Sequence, residues 1–192
     1  MSPRSDPEFF DAKYRADPDP WNFDTDWYEI RKRTLLLAML PHPRFRSALE
    51  PGCANGHITT ELARRCDRVT ATDIAPRAVE LTGIRCRDQP NVEVREWGLG
   101  RMWHWENIFD LVLLSEVVYY LPADALTLAI EDMASHLRPR TTVVLSHWRH
   151  TEKDHHLDGD EATGIALAAF PHRCVARYLD ADVRIEVVTT NP

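Results

Sequence analysis

The sequence predicts an α/β chain: a Rossmann-like, doubly wound sheet of seven strands, mostly parallel with an antiparallel edge strand, and helices on both faces. Three observations predict it. Strand-like and helix-like apolar patterns alternate between residues 47 and 145. The run Phe109-Asp110-Leu111-Val112-Leu113-Leu114 is nearly continuous in apolar residues, as a central parallel strand covered on both faces requires. A turn with small residues at Gly52, Ala54 and Gly56 leaves the first strand and opens a helix.

The elements follow in order. Residues 1–24 are rich in Pro and Asp and carry Trp21 and Phe23, so they read as an irregular arm with one anchored aromatic patch. Asp26 stands where a side-chain cap would start a helix over 27–40, which Pro41 ends. Residues 47–50 form a short first strand, and 57–66 a helix with Ile58, Leu62 and Ala63 on one face. The second strand, 69–72, ends at Asp73, and Pro76 suits the first turn of a helix over 77–87. Residues 92–95 alternate like a third strand, and 109–114 are the fourth. A helix over 123–137 and a fifth strand over 141–145 follow. A polar loop over 147–160, an apolar helix over 161–170 and two strands, 174–179 and 183–189, complete the chain, the last pair forming the antiparallel edge.

Composition narrows the function. The 192 residues are 44% hydrophobic and 28% charged, with a net charge of -7, which is globular and acidic. An acidic chain lacks the clustered Lys and Arg of a phosphate-backbone reader, and suits a small, particularly a cationic, substrate. The start, Met1 to Asp6, holds no apolar signal core. The longest apolar stretch, 111–121, is broken by Ser115 and Glu116 and is too short to span a bilayer. Cys53, Cys66, Cys86 and Cys174 show no C-x-x-C spacing and read as reduced thiols. His147, His150, His155 and His156 match no standard metal-ligand spacing and read as part of a solvated loop. The expectation is a cytoplasmic monomer or homodimer with a small-molecule substrate and no nucleic-acid, membrane or metal partner.

The most informative stretch is Leu49-Glu50-Pro51-Gly52-Cys53-Ala54-Asn55-Gly56. A backbone that packs against a ligand tolerates little side chain, and the helix beyond presents free N–H groups to the crevice. Asp73 ends the next strand, where an acid can accept hydrogen bonds from ribose hydroxyls. A dinucleotide fingerprint would want glycines at 52, 54 and 57; here Ala54 and His57 stand at the last two. The turn fits a ligand with an adenosine and no pyrophosphate, and Glu50 offers negative charge to an ammonium or a sulfonium.

Two further blocks, Thr72-Asp73-Ile74-Ala75-Pro76-Arg77-Ala78 and Phe109 to Leu121 with its Ser115-Glu116-Val117-Val118-Tyr119-Tyr120-Leu121 ending, stand beside this one. Asp19-Pro20-Trp21-Asn22-Phe23-Asp24-Thr25 precedes them, and His147-Trp148-Arg149 with Leu157-Asp158-Gly159-Asp160-Glu161 follows. On these blocks, in order over nearly the whole chain, the sequence resembles the class I S-adenosylmethionine-dependent methyltransferases, and more closely the NodS-type N-methyltransferases.

The resemblance implies methyl transfer from S-adenosylmethionine to a small-molecule acceptor, preferably an amine of an amino sugar or specialised metabolite. It implies an N-terminal arm or lid over 1–26, to which Trp21 belongs, and one methyltransferase domain over 27–192. Gly52 and Gly56, with Ala54 between them, would line the methionine part of the cofactor. Asp73, with Ile74 beside it, would hold the ribose. Ser115 and Glu116 would face the transferred methyl. After the third strand the chain reads Arg95-Glu96-Trp97-Gly98-Leu99, where Trp97 either stacks on adenine or packs.

The catalytic candidates each carry a rival reading. Glu116 orients or deprotonates an acceptor amine, or is a helix-start carboxylate. His147 is a second base at a strand's carboxyl end, or an ordinary loop histidine. Tyr119, Tyr120 and Trp148 line the acceptor pocket, or fill core. Two alternatives to the amine methyltransferase stand: an O-methyltransferase of a hydroxylated metabolite, and a non-catalytic S-adenosylmethionine-binding module without an open acceptor cavity.

Overall fold

The computed structural model describes residues 6–106 and 109–191. The polar start discussed above, apart from Asp6, lies outside the described residues. The element order is α1 (Pro7–Ala16), α2 (Trp27–Ala38), β1 (Phe45–Pro51), α3 (His57–Arg65), β2 (Cys66–Asp73), α4 (Pro76–Arg85), β3 (Val92–Glu96), β4 (Leu111–Ser115), α5 (Ala123–Ser135), β5 (Thr142–Trp148), α6 (Gly159–Ala168), β6 (His172–Leu179) and β7 (Val183–Thr190).

The strands form one sheet in the order β3-β2-β1-β4-β5-β7-β6. The first five pair in parallel. β7 runs antiparallel between β5 and β6, so the expected antiparallel pair closes one edge, with the reversed strand one place in from it. After β1 the chain moves outward through β2 to β3, then returns to lay β4 on the other side of β1. The carboxyl ends of β1 and β4 therefore stand side by side at a topological switch point, where open α/β sheets bind ligands.

β4 explains why the sheet is covered twice. Val112 and Leu114 enter a core with Leu126, Ile130 and Met133 of α5 and Ala162 and Ala166 of α6. Leu111 and Leu113 enter the opposite core with Leu36 of α2 and Leu62 and Ala63 of α3. All five residues of β4 are buried, as its unbroken apolar run requires. Among the described residues, no helix is long and apolar enough to cross a membrane.

The N-terminal arm differs from expectation. Residues 7–16 form a helix, with Pro7 at its first turn and the Asp6 side chain accepting the Glu8 N–H. Phe10 and Tyr14, one turn apart, bury against Ala75, just before α4, and Ala78 within it. Asp11 Oδ1 accepts the Arg77 N–H at 2.7 Å, which supplies from outside the cap that α4 lacks at its own start. The expected cap at Asp26 is present: its side chain accepts the Tyr28 N–H.

Candidate active site

One cavity of about 1070 Å³ opens at the switch point. The turn after β1, the end of β2, the segment after β3, the turn after β4 and the N-terminal arm all contribute to its wall. That volume suits a cofactor and a small acceptor together.

At the β1 end, Gly52 has φ +74, a left-handed conformation, and a Cβ added there would run into Val117 Cγ1. Ala54 is also left-handed, at φ 55. Asp73 holds this turn from the neighbouring strand. Its Oδ2 accepts the Ala54 N–H and its Oδ1 the Ala75 N–H, each at 3.0 Å. Burial nevertheless raises its pKa to about 6, the backbone N–H groups of Ala75, Ala54 and Ile74 pulling the other way. Glu50 is 3% exposed and its Oε2 accepts the Thr59 hydroxyl at 2.7 Å. With that one donor, burial raises its pKa to about 8. The fixed negative charge expected at Glu50 is thus largely a neutral acid at pH 7 until a cation comes beside it.

Past β3, Trp97 is buried and its Nε1–H donates to the Met102 carbonyl at 3.1 Å. Its ring meets Trp103 and Trp105 edge-on. It reaches the cavity from within this aromatic cluster. Gly98 lies beside it because a Cβ there would collide with Ile74 Cγ2. The arm covers the opposite wall. Trp21 packs edge-on against Tyr14, with Lys13 Nζ 5.2 Å from its ring centroid, and Lys13 pairs with Asp154 at 2.9 Å. Asn55 Nδ2 donates to the Pro18 carbonyl and to Asp19 Oδ1, both at 3.1 Å, tying the arm to the turn.

At the β4 end, Ser115 is buried and Glu116 follows in a left-handed conformation, φ 56. The Glu116 carboxylate accepts Lys32 Nζ at 2.7 Å, the Tyr119 hydroxyl, and the Trp148 N–H at 3.1 Å to both oxygens. Burial works to raise its pKa, but the Lys32 ammonium and the Tyr119 hydroxyl help to outweigh it and hold the group below its ordinary value. Tyr119, Tyr120 and Trp148 line this end with His155, which stacks on Tyr119 at 3.9 Å.

The predicted residues Trp21, Glu50, Gly52, Ala54, Asp73, Ile74, Trp97, Ser115, Glu116, Tyr119, Tyr120 and Trp148 all line the cavity. Gly56 and His147 do not. Gly56, at φ +85, stands at the start of α3, where a Cβ would lie 3.1–3.2 Å from Thr82; its small size lets α3 and α4 approach. His147 is fully buried inside β5, with Nδ1 3.2 Å from Thr163 Oγ1. Burial drives its pKa down to about 4, so it is neutral and walled off, which corrects the expectation of a second base. The loop after β5 is also less solvated than expected, since His155 and Leu157 are buried in it.

Sequence reasoning missed Tyr28, Glu29 and Lys32 of α2, which line the same end. The signal was present: Tyr28, Lys32 and Leu36 recur every four residues on the face that turns inward. Lys32 is 3% exposed and bridges Glu29 and Glu116. The histidine group gathers no metal set; among the described residues the ligand-bearing cluster close enough to consider is Asp19, Asp24 and His57.

This sheet order, the small-residue turn at its switch point and the acid ending the adjacent strand define a Rossmann-like fold with its site at the carboxyl ends of β1 and β4. The model of the family Nodulation protein S (NodS) matches residues 8–178. The chain belongs to the NodS family. It is 33% identical over 128 residues to Nodulation protein S of Sinorhizobium fredii, covering 65% of this chain and 58% of that protein. It is 34% identical over 134 residues to Nodulation protein S of Bradyrhizobium diazoefficiens, covering 68% and 63%. The chain thus spans about six-tenths of these curated relatives. The structure of the N-methyltransferase NodS from Bradyrhizobium japonicum WM9 in complex with S-adenosyl-L-homocysteine superposes with a TM-score of 0.82 at 24% identity, covering 94% of this chain and 96% of that one; this likeness is one of fold.

Proposed function

We propose that the chain is an S-adenosylmethionine-dependent methyltransferase acting on a small-molecule amine. The observation that carries the reading is that a single cavity joins the Gly52–Asp73 end to the Glu116–Trp148 end. A cofactor and an acceptor can therefore share one space, whereas a non-catalytic binding module would need only the first end.

The residues present fit the methyl donor. Asp73 lines the cavity, and a carboxylate that accepts the Ala54 and Ala75 N–H groups still has lone pairs for a ligand. Glu50 is a buried acid with one hydroxyl partner, the kind of group that an amino-acid ammonium completes. S-adenosylmethionine, when bound, supplies a methyl activated by its sulfonium. Everything else falls to the chain. Asp73 would hold the ribose and Glu50 the ammonium. Trp21, Tyr14 and Phe10 would exclude water from above. Glu116 would orient the acceptor nitrogen as an ionised carboxylate.

An amine is favoured over an alcohol on charge. Glu29, Glu116, Glu152 and Asp154 line the acceptor end or its rim with aromatic rings, an environment that attracts a cation. The net charge of -7 likewise argues against a nucleic-acid substrate. All four cysteines are free, as suits a cytoplasmic protein. The test is a screen for S-adenosylhomocysteine release over paired acceptors, each amino sugar beside its hydroxyl twin. Turnover restricted to the amines supports the reading; turnover restricted to the hydroxyl compounds replaces it with O-methylation.

A further inference from the structure

This inference rests on the methyl-transfer reading with an amine acceptor. We propose that Glu29 takes the acceptor's proton, and that Lys32 is the positioning residue that pins Glu116 and leaves Glu29 free to do so.

Two carboxylates face the same end of the cavity, and their surroundings differ. Glu116 is occupied by the Lys32 ammonium, the Tyr119 hydroxyl and the Trp148 N–H, and its backbone is fixed in a left-handed conformation. It is an anchored charge with little room to rotate toward a proton. Glu29 accepts from Lys32 alone among the described residues, at 2.9 Å to each oxygen, and its remaining lone pairs are open.

Glu29 stands three residues after the Asp26 cap, where a glutamate ordinarily turns back to the cap's own N–H. Here that N–H is taken by the Asn22 carbonyl at 2.8 Å. The carboxylate is therefore not spent on the helix start and turns to the cavity. Tyr28 adds a buried hydroxyl with no hydrogen-bond partner among the described residues. Two carboxylates against one ammonium leave the cluster one positive charge short, and an incoming ammonium supplies it.

Burial and the like charge of Glu116 raise the Glu29 pKa against the pull of Lys32, whereas Lys32 keeps Glu116 low. Carboxyls pushed apart in this way divide the acid–base work. The other titratable groups around the pair are Asp26 and Tyr28 on α2, Tyr119 and Tyr120 after β4, His147 on β5, His155 in the loop that follows, and Asp180 and Asp182 opposite Tyr28.

The step balances simply. An alkylammonium gives one proton to the Glu29 carboxylate, leaving a neutral amine and a carboxylic acid. The nitrogen lone pair forms the N–C bond as the C–S bond breaks, and sulfur keeps that electron pair. The Glu29 proton then passes to water through the cavity mouth.

The test uses the intact chain labelled with carbon-13 at the glutamate side-chain carboxyl. Glu29→Gln and Glu116→Gln assign the two signals. Expected is a higher titration midpoint for Glu29 than for Glu116, and a rise of the Glu116 midpoint by roughly one to three pH units in Lys32→Met. The reverse order, or no shift in Lys32→Met, overturns the assignment. This arm needs neither donor nor acceptor. In the second arm, glucosamine is titrated into the protein saturated with S-adenosylhomocysteine. Glu29→Gln is expected to weaken glucosamine at least about tenfold while S-adenosylhomocysteine affinity stays within about twofold. Undiminished glucosamine binding in Glu29→Gln overturns the proposal. Failure of S-adenosylhomocysteine itself to bind the wild-type chain falls instead on the methyl-transfer reading.

Discussion

Asp73 and Ala54 are joined across two strands: the Ala54 N–H donates to Asp73 Oδ2 at 3.0 Å, so the acid ending β2 shapes the turn that ends β1. The same carboxylate that is suited to grip a ribose holds the cradle open. Asp73→Ala should therefore fail twice. Loss of the ribose bonds should weaken S-adenosylhomocysteine about tenfold or more, roughly 1.4 kcal/mol. Two backbone N–H groups left unpaired should cost about 1–3 kcal/mol of stability. Calorimetry and urea unfolding check the two effects. Unchanged affinity would remove Asp73 from the site.

Gly52 has no room for a side chain and a backbone that few residues tolerate. Gly52→Ala should destabilise the chain by about 1–3 kcal/mol through overpacking and strain, and should abolish cofactor binding. Gly83, in α4 with open space around it, is the control. Gly83→Ala should stabilise by about 0.5–1 kcal/mol in the same urea experiment. Equal behaviour of the two variants would show that the turn is slack.

Glu50 and Asp73 make the unliganded protein sensitive to pH. Both folded-state pKa values, about 8 and about 6, lie above the ordinary carboxyl values of 4.5 and 3.8. The folded chain therefore holds protons that the unfolded chain has released. The stability they contribute is complete below about pH 4 and is lost as pH rises to 8. A ligand ammonium beside Glu50 would draw its proton off. S-adenosylhomocysteine affinity should rise between pH 6 and 8, and its binding enthalpy should depend on the ionisation heat of the buffer. Glu50→Gln should remove that dependence. A buffer-independent enthalpy in the wild type would place the ammonium elsewhere.

Asn55 ties the arm to the turn through Pro18 and Asp19. Asn55→Ala should release S-adenosylhomocysteine about tenfold faster, the equivalent of two ordinary hydrogen bonds. Stopped-flow tryptophan fluorescence reads this directly, since Trp21 lines the cavity. An unchanged release rate would show that the arm does not gate the site.

Much of this was legible in the chain itself. The alternation that places β1 to β5, and the spacing of Gly52, Ala54 and Asp73, are local signals that tertiary packing reinforces. Helix α1 was obscured because only Phe10 and Tyr14 of its ten residues are buried and the Pro- and Asp-rich residues beside them dominate the pattern. β5 extends beyond residue 145, and His147 shares its parity with Val143 and Leu145, so it points into the core under α6, away from the cavity. The spacing put Lys32 on the inward face of α2, but its role was hidden for a different reason. A lone lysine on an apolar face reads as solvated until its partner is known, and Glu116 lies far along the chain.

The measurement that bears most directly on the account is calorimetric titration of the intact protein with S-adenosylhomocysteine, with NAD as the comparison. One saturable site for S-adenosylhomocysteine and no heat from NAD is the predicted result. Saturable binding of NAD, or no binding of S-adenosylhomocysteine, would contradict it.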